Sequence, residues 1–334
     1  MEKEVEHQPV MLQQVLDLAE QAYGHFQNRP GREQDTIAGR ELPSPAFTIL
    51  DGTLGAGGHS IWLAQEYPDA NLILSDRDPE MLEKARSNFA RRGLNPEDFR
   101  FRWECARASH PLPEDLELDF ALLDLGISML HLKEFDRGFS YENESLDMRL
   151  DREGPSASEL VNELPERELA DLIYRYGEER ASRKIAARIV RERPVTSARQ
   201  LADIVARSIP GPRNRAHPAR KTFQALRIAV NDELNEAESA ARNLAAHLRA
   251  GGVLAIITFH SLEDRIIKQC FSDLCGRSGA GISRYDAPLP EALERHPSEF
   301  EKAIRKSLAP SESEKEQNPA ARSARLRAIR RKAS

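Results

Sequence analysis

Three aspartates and four glycines carry the chemistry that can be read from this sequence. Asp51 closes the apolar run at residues 47–50, and Gly52, Gly55, Gly57 and Gly58 follow within seven residues, just ahead of Ile61, Trp62 and Leu63. That order predicts a strand, a glycine turn and a helix. Glycine permits positive φ and lets a ligand approach with no Cβ in the way. The carboxyl end of the first strand of an α/β sheet is where such a ligand sits. The spacing D-G-x-x-G-x-G-G is not the G-x-G-x-x-G that sets a pyrophosphate on a helix, which argues against a dinucleotide. Asp76 ends the next apolar run, residues 71–75, where a carboxylate can accept hydrogen bonds from a ribose diol. Acid, glycine turn and second acid suit S-adenosylmethionine; the plain alternative is a glycine-rich connection that holds nothing. Asp51 either holds the turn or meets the ammonium group of the ligand. Asp124, at the end of the run at 118–123, brings a third carboxylate to the same edge.

These groups need a sheet to bring them together. Strands are expected at 47–50, 71–75, 99–104 and 118–123, with helices at about 60–66 and at 79–92, the latter opening on Pro79. Such alternation predicts a mostly parallel sheet with right-handed crossovers. An earlier helix is expected from the apolar spacing of Val10, Leu12, Val15, Leu16 and Ala19, and residues 28–45 read as a long exposed loop. The alternation stops near Phe139. Leu169, Leu172, Ile173 and Tyr176 then follow helical spacing, Ile185, Ile189 and Val190 renew it, Pro194 breaks it, and Thr196 or Ser197 can cap the next helix. This block reads as an all-helical insertion. A helix from about 222 to 249 is expected to end at Gly251-Gly252, and the run at 253–259 reads as a buried strand before a helix that starts near Leu262.

The chain has 334 residues, enough for about two domains. It holds no apolar run near the ~20 residues a membrane span requires, so no membrane partner is expected. Its start, M-E-K-E-V-E, lacks the features of a secretory or organelle leader, which points to the cytoplasm. Cys105, Cys270 and Cys275 form neither a disulfide framework nor a zinc spacing, so reduced thiols and no metal are expected. The net charge is -6, yet residues 175–221 hold thirteen Lys/Arg against four Asp/Glu. A chain polarised in this way can present a phosphate-binding face, and solvated helix faces are the competing reading. Residues 318–334 add six Lys/Arg and no acid, and read as a disordered tail or an RNA-contacting arm.

The stretches H-Q-P-V-M-L, L-D-G-T-L-G-A-G-G-H-S, S-D-R-D-P, L-L-D-L-G-I-S, D-R-G-F-S, L-D-M-R-L-D, Y-G-E-E-R, H-P-A-R-K-T-F-Q-A-L-R-I-A-V-N-D-E-L, F-H-S-L-E-D-R-I-I-K and N-P-A-A-R-S-A-R-L-R occur in this order along the chain. In them the chain resembles the RsmH (MraW) family, S-adenosylmethionine-dependent methyltransferases acting on N4 of a cytosine in the decoding region of small-subunit ribosomal RNA. The resemblance implies an α/β fold: a Rossmann-like class I methyltransferase sheet with an inserted all-helical subdomain. It divides the chain into a core at 1–138, a helical substrate-recognition domain at 139–221, a second core part at 222–276, and a variable segment with a basic tail at 277–334. Small-subunit rRNA or the small ribosomal subunit is the implied partner, and the pattern leaves room for a homodimer. An RNA-binding assembly factor of the same fold, non-catalytic or differently targeted, is the alternative.

By the same resemblance Gly57, Gly58, His59, Asp76 and Asp124 line the cofactor. His131 stands where the family has glutamine, Met129 where it has serine, and Ala106 where it has an aromatic beside adenine. On its own, His59 could equally start a helix and face solvent. Cytosine N4 is a weak nucleophile because its lone pair is delocalised into the ring, so an acceptor for the amine proton would help. The Asp/Asn/Ser-Pro-Pro-aromatic tetrapeptide of many amino-methyltransferases is absent after residue 123, where D-L-G-I-S stands. Asp124, or failing that His260 beside Ser261, is therefore expected to face the amine; the competing role for His260-Ser261 is a helix cap. Arg137 and Arg149 are expected to contact phosphate or base, with a buried salt bridge as the alternative.

Overall fold

Near-continuous apolar runs along the strands, whose successive side chains point to opposite faces, give both faces of a central sheet something to bury. The computed structural model describes residues 9–29, 33–37, 40–44, 46–133, 136–209, 217–276 and 298–333. It has two units, Met1–Gly126 with Glu236–Ser334, and Ile127–Asn235. The first unit starts with α1 (Leu12–Gln27), then β1 (Glu33–Ile37) and β2 (Arg40–Ser44). The parallel run follows: β3 (Thr48–Asp51), α2 (Gly58–Glu66), β4 (Asn71–Asp76), α3 (Pro79–Arg91), β5 (Phe101–Cys105) and β6 (Leu118–Asp124). The second unit holds α4 (Met129–Lys133), α5 (Ala157–Glu163), α6 (Glu166–Gly177), α7 (Ser182–Arg191), α8 (Ala198–Ser208) and α9 (Arg220–Asn231). The chain returns to the first unit through α10 (Glu233–Ala246), and continues with β7 (Leu248–Thr258), α11 (Ser261–Leu274), β8 (Phe300–Lys302), α12 (Glu312–Gln317) and β9 (Arg325–Arg331).

Seven strands form one sheet in the order β5-β4-β3-β6-β7-β9-β8. β3 to β7 run parallel, while β9 is antiparallel to both its neighbours. This order makes the fold a Rossmann-like class I methyltransferase sheet, with its switch of direction between β3 and β6. On one face Ile49, Leu72, Leu74, Phe120 and Leu122 pack with Val15 and Leu18 of α1. On the other, Leu50, Ile73, Ala121 and Leu123 pack with Ala241 and Leu244 of α10 and Ile267 and Phe271 of α11. Each large aliphatic side chain buried there contributes about 1.5–3 kcal/mol. The second unit has its own core, in which Leu169, Ile173, Ile185, Ile189, Leu201, Ile204 and Leu226 meet. Its helices start where the caps lie: Ser156 and Glu159 form a reciprocal box on α5, and Ser197 accepts from Gln200 N on α8.

Four expectations need correcting. Residues 28–45 are not all loop, because β1 and β2 pair as an antiparallel hairpin. The helix expected at 222–249 is two helices, separated where Asp232 takes the left-handed conformation. Gly251-Gly252 do not cap it. They lie inside β7, where the pairing with β6 slips between Leu118 and Phe120, Gly251 has φ 84°, and a Cβ on Gly252 would sit 2.9 Å from the Arg249 and Leu118 carbonyls. Finally, residues 325–331 are neither arm nor tail. Leu326, Ala328 and Ile329 are buried in β9, and the arginines between them are paired: Arg327 with Asp264 at 2.7 and 2.9 Å, Arg330 with Glu301 at 2.6 Å, Arg331 with Glu299 at 2.8 Å. The apolar residues of that stretch were diluted by charge, which hid the strand. The variable segment at 277–297 and the basic residues at 210–216 lie outside the described residues.

Candidate functional site

The carboxyl ends of β3, β4 and β6 deliver Asp51, Asp76 and Asp124 in one unit, and the glycine turn is tied to each. Asp51 is 2 % exposed; its Oδ2 accepts from Ser60 Oγ at 2.6 Å and its Oδ1 from Thr53 N at 3.2 Å. It thus clamps the two ends of the turn. Thr53 Oγ1 accepts from Asp124 N at 2.6 Å, which fixes β6 to the same turn. Asp76 Oδ2 accepts from Gly55 N at 2.7 Å and Oδ1 from Asp78 N at 2.9 Å. These contacts fix the orientation of Asp76 at the end of β4. Ala106 follows β5 beside it, with its N donating to the Asp76 carbonyl at 3.0 Å.

Glycine is required in the turn partly for the chain's own packing. Gly57 has φ 82°, and a Cβ there would meet Phe89 at 3.0 Å; one on Gly58 would meet Pro9 at 2.9 Å. His59 is buried at 6 % exposure rather than facing solvent. Its Nε2 lies 2.9 Å from the Val10 carbonyl, and because a carbonyl can only accept, Nε2 carries the proton. Nδ1 then presents a lone pair 3.7 Å from Asp124 Oδ2. Burial pushes the imidazole pKa down to about 4, against the Val10 hydrogen bond that raises it, so the ring is neutral near pH 7.

The electrostatics single out the acids. Burial pushes Asp51 up to about 6, opposed by the Ser60 and Thr53 hydrogen bonds and aided by Asp76. Asp124 is held well above the usual carboxylate range by burial first, then by the charges of Asp51 and Glu263. Its Oδ1 is buried without a hydrogen-bond partner. Among the described residues no Lys or Arg pairs with Asp51 or Asp124. An acid cluster of this kind, with an orphaned oxygen and no cation, fits a positively charged ligand. It fits a sulfonium with an attached ammonium group.

His260 has a structural duty. It is the N-cap of α11, its Nδ1 accepting from Glu263 N at 3.3 Å, while Glu263 Oε2 returns to Phe259 N at 2.8 Å and His260 N at 3.2 Å. Nε2 of His260 lies 3.0 Å from Glu263 Oε1 but out of line for a hydrogen bond. The cap residue is thus His260, one position before the Ser261 suggested by type. Thr53, Ser60 and Glu263 were missed as site residues. For Glu263 the signal was present, a glutamate three residues after the cap; for Thr53 and Ser60 the only sign was a hydroxyl at each end of a glycine turn.

His131, Arg137 and Arg149 belong to the second unit. His131 is buried on α4, Nδ1 accepting from Ser128 N at 3.1 Å, with its ring 5.5 Å from that of Phe139. Arg137 is 8 % exposed and donates to the Leu150 carbonyl at 3.2 Å. Arg149 holds Asp147 at two points, 2.7 and 3.0 Å, and donates to the Gly154 carbonyl at 3.1 Å. That pairing keeps the Asp147 carboxyl below its usual range against the opposing effect of burial. Both arginines therefore brace the loop that carries them.

Comparison with known proteins adds a family. The sequence profile of the MraW methylase family matches residues 4–332. The ribosomal RNA small subunit methyltransferase H of Ruegeria sp. is 44% identical over 291 residues, 84% of this chain and 84% of its own length. The protein of the same name from Methylorubrum populi is 41% identical over 299 residues, 88% of this chain and 84% of its own. That from Gluconobacter oxydans is 38% identical over 332 residues, 97% and 92% of the two chains.

Proposed function

Because the chain belongs to the MraW methylase family, we propose that it methylates N4 of a cytosine in small-subunit ribosomal RNA. It is a methyltransferase, and S-adenosylmethionine is the methyl donor. The observation that carries the reading is the buried Asp51 beside the partnerless Oδ1 of Asp124, with no Lys or Arg paired to either among the described residues, against the glycine turn. S-adenosylmethionine supplies a methyl group on a cationic sulfur. Gly57, Gly58, His59, Asp76, Ala106 and Asp124 are assigned to its binding, with Asp76 on the ribose diol and the backbone of the turn alongside. His131 is assigned to the cofactor, and Arg137 and Arg149 to the RNA, by family likeness.

Asp124 is assigned as the proton acceptor. Its Oδ1 has an open accepting capacity, and a carboxyl raised towards neutrality is a better base for an amine proton than an ordinary aspartate. Hydrogen bonding from the amine to Asp124 localises the nitrogen lone pair. When bound, the donor would give up its methyl group to the amine nitrogen and keep the electron pair of the broken sulfur–carbon bond, and Asp124 would take the proton displaced from the amine. His59, neutral and fixed on Val10, keeps a lone pair facing Asp124 and leaves the carboxyl uncompensated by positive charge. His260 caps α11 through Nδ1 and is assigned, after Asp124, as the second candidate to face the amine. A cytosine in structured RNA is unstacked before its amine can react.

No helix among the described residues is long and apolar enough to cross a membrane; the reaction is assigned to the cytoplasm, and monomer or homodimer is read by sedimentation. The test offers labelled S-adenosylmethionine to small-subunit RNA, assembled subunits, DNA and protein, followed by mass mapping of the modified nucleosides. N4-methylated cytidine is the expected product. Label in another base, in DNA or in protein refutes the target, and failure to bind the donor refutes the chemistry.

A further inference from the structure

The second unit carries an aromatic stack that none of the foregoing uses. Phe223, buried on α9, meets the Tyr141 ring edge-on at 4.8 Å and 76°. Tyr141 in turn stacks on His217, with centroids 4.2 Å apart and planes 15° from parallel. His217 is exposed, so the stack runs from the buried Phe223 outwards and ends in an exposed ring. The ring is fixed: its Nδ1 accepts from Ala219 N at 3.2 Å. A flat, exposed ring anchored through two others is a surface for a further planar group.

The charge around it selects which planar group. Arg220, three residues on, is exposed and close enough to Tyr141 to oppose the effect of burial on its hydroxyl. The neighbouring Lys221 donates to the Glu178 carbonyl at 2.9 Å, which brings the start of α9 to the end of α6, two residues before Arg180. Arg180, Arg183, Lys184 and Arg220 are all exposed and make no ion pair among the described residues. Aromatic faces beside a track of unpaired cations are how proteins hold single-stranded nucleic acid, with bases stacked and phosphates neutralised.

We propose that the outer face of His217 receives an unpaired nucleobase of the RNA, with Arg220 and the cations at the start of α7 along the adjoining phosphates. This rests on the reading of the protein as an RNA enzyme, and names where on the second unit a single strand is gripped.

The test uses the full-length protein and a single-stranded RNA of about ten nucleotides with one adenine replaced by 2-aminopurine. Stacking on His217 quenches the fluorescence at saturation. His217→Ala abolishes the quench and weakens binding between about fivefold and about a hundredfold, the range for loss of one base–aromatic contact. His217→Phe keeps both. Arg220→Glu weakens binding and flattens its dependence on salt. The unfolding midpoint of each variant is measured alongside, and is expected to stay put for a surface position. Wild-type affinity and quench in His217→Ala, or a loss in His217→Phe as large as in His217→Ala, overturns the proposal. Should the wild type bind this RNA as described yet move no methyl group to small-subunit RNA, the platform stands and the methylation reading fails.

Discussion

Replacing His59 by glutamine tests whether the imidazole beside Asp124 is neutral. Glutamine can still donate to the Val10 carbonyl, which the ring does at 2.9 Å, but has no proton to gain. Above the ordinary histidine pKa of 6.5 the ring is neutral in folded and unfolded chains alike, and its titration adds no pH dependence. As the pH falls, the unfolded ring takes a proton that the folded ring, with its pKa near 4, refuses. Stability is therefore lost progressively on acidification, by about 3 kcal/mol at pH 4. The glutamine variant escapes this loss. Urea unfolding followed by circular dichroism at pH 8, 6, 5 and 4 gives the stability gap between wild type and His59→Gln, in which all other titrations cancel. The gap is expected to move by about 3 kcal/mol in favour of the variant between pH 8 and pH 4. A gap that stays constant means the folded ring protonates normally, and Nδ1 does not offer Asp124 a lone pair.

The opposite sign is expected at Asp51, whose folded pKa of about 6 means that the native state binds the extra proton. Asp51→Asn gains stability relative to wild type as the pH rises, by about 2.5 kcal/mol between pH 4 and pH 8 in the same assay. Asp124→Ala lowers methyl transfer at saturating donor by about a hundredfold or more without lowering the unfolding midpoint, measured with labelled donor and thermal melts. Gly57→Ala forces a Cβ at positive φ against Phe89 and costs about 1–3 kcal/mol, read as a fall in melting temperature. Arg327→Ala breaks the two-point pair with Asp264 and costs about 1 kcal/mol in urea unfolding, while RNA affinity is unchanged because β9 is a sheet strand.

The parallel sheet was legible because its strands are mostly apolar runs ending in acids, as at residues 47–50 and 118–123. β9 was not, since only Leu326, Ala328 and Ile329 carry its apolar signal among arginines that pair with Asp264, Glu301 and Glu299. The three aspartates could be placed at one edge from strand ends alone. The clamp of Ser60 and Thr53 on Asp51, and the burial of His59 under Val10, depend on how α1 and the turn pack, and no local pattern encodes that. His260 caps α11, and the three-residue spacing to Glu263 is the sequence signal for that duty, which an action on the substrate can accompany. The interruption between α9 and α10 falls on Asp232, a residue type that tolerates the left-handed conformation, but no glycine or proline marks it.

The order of the sheet also constrains how the protein is made. β6 is finished at Asp124, but its parallel neighbour β7 starts only at Leu248, after the whole of Ile127–Asn235 has been synthesised. A nascent chain therefore passes through a long interval with the backbone groups of β6 exposed as a raw edge, the kind of surface that recruits stray strands. Even when β7 docks, its other side stays open until residues 325–331 leave the ribosome and slide in antiparallel. Truncation before that segment leaves a carboxylate cluster on an unfinished scaffold, so the cell holds such a fragment as a target for chaperones and proteases rather than as a partial enzyme.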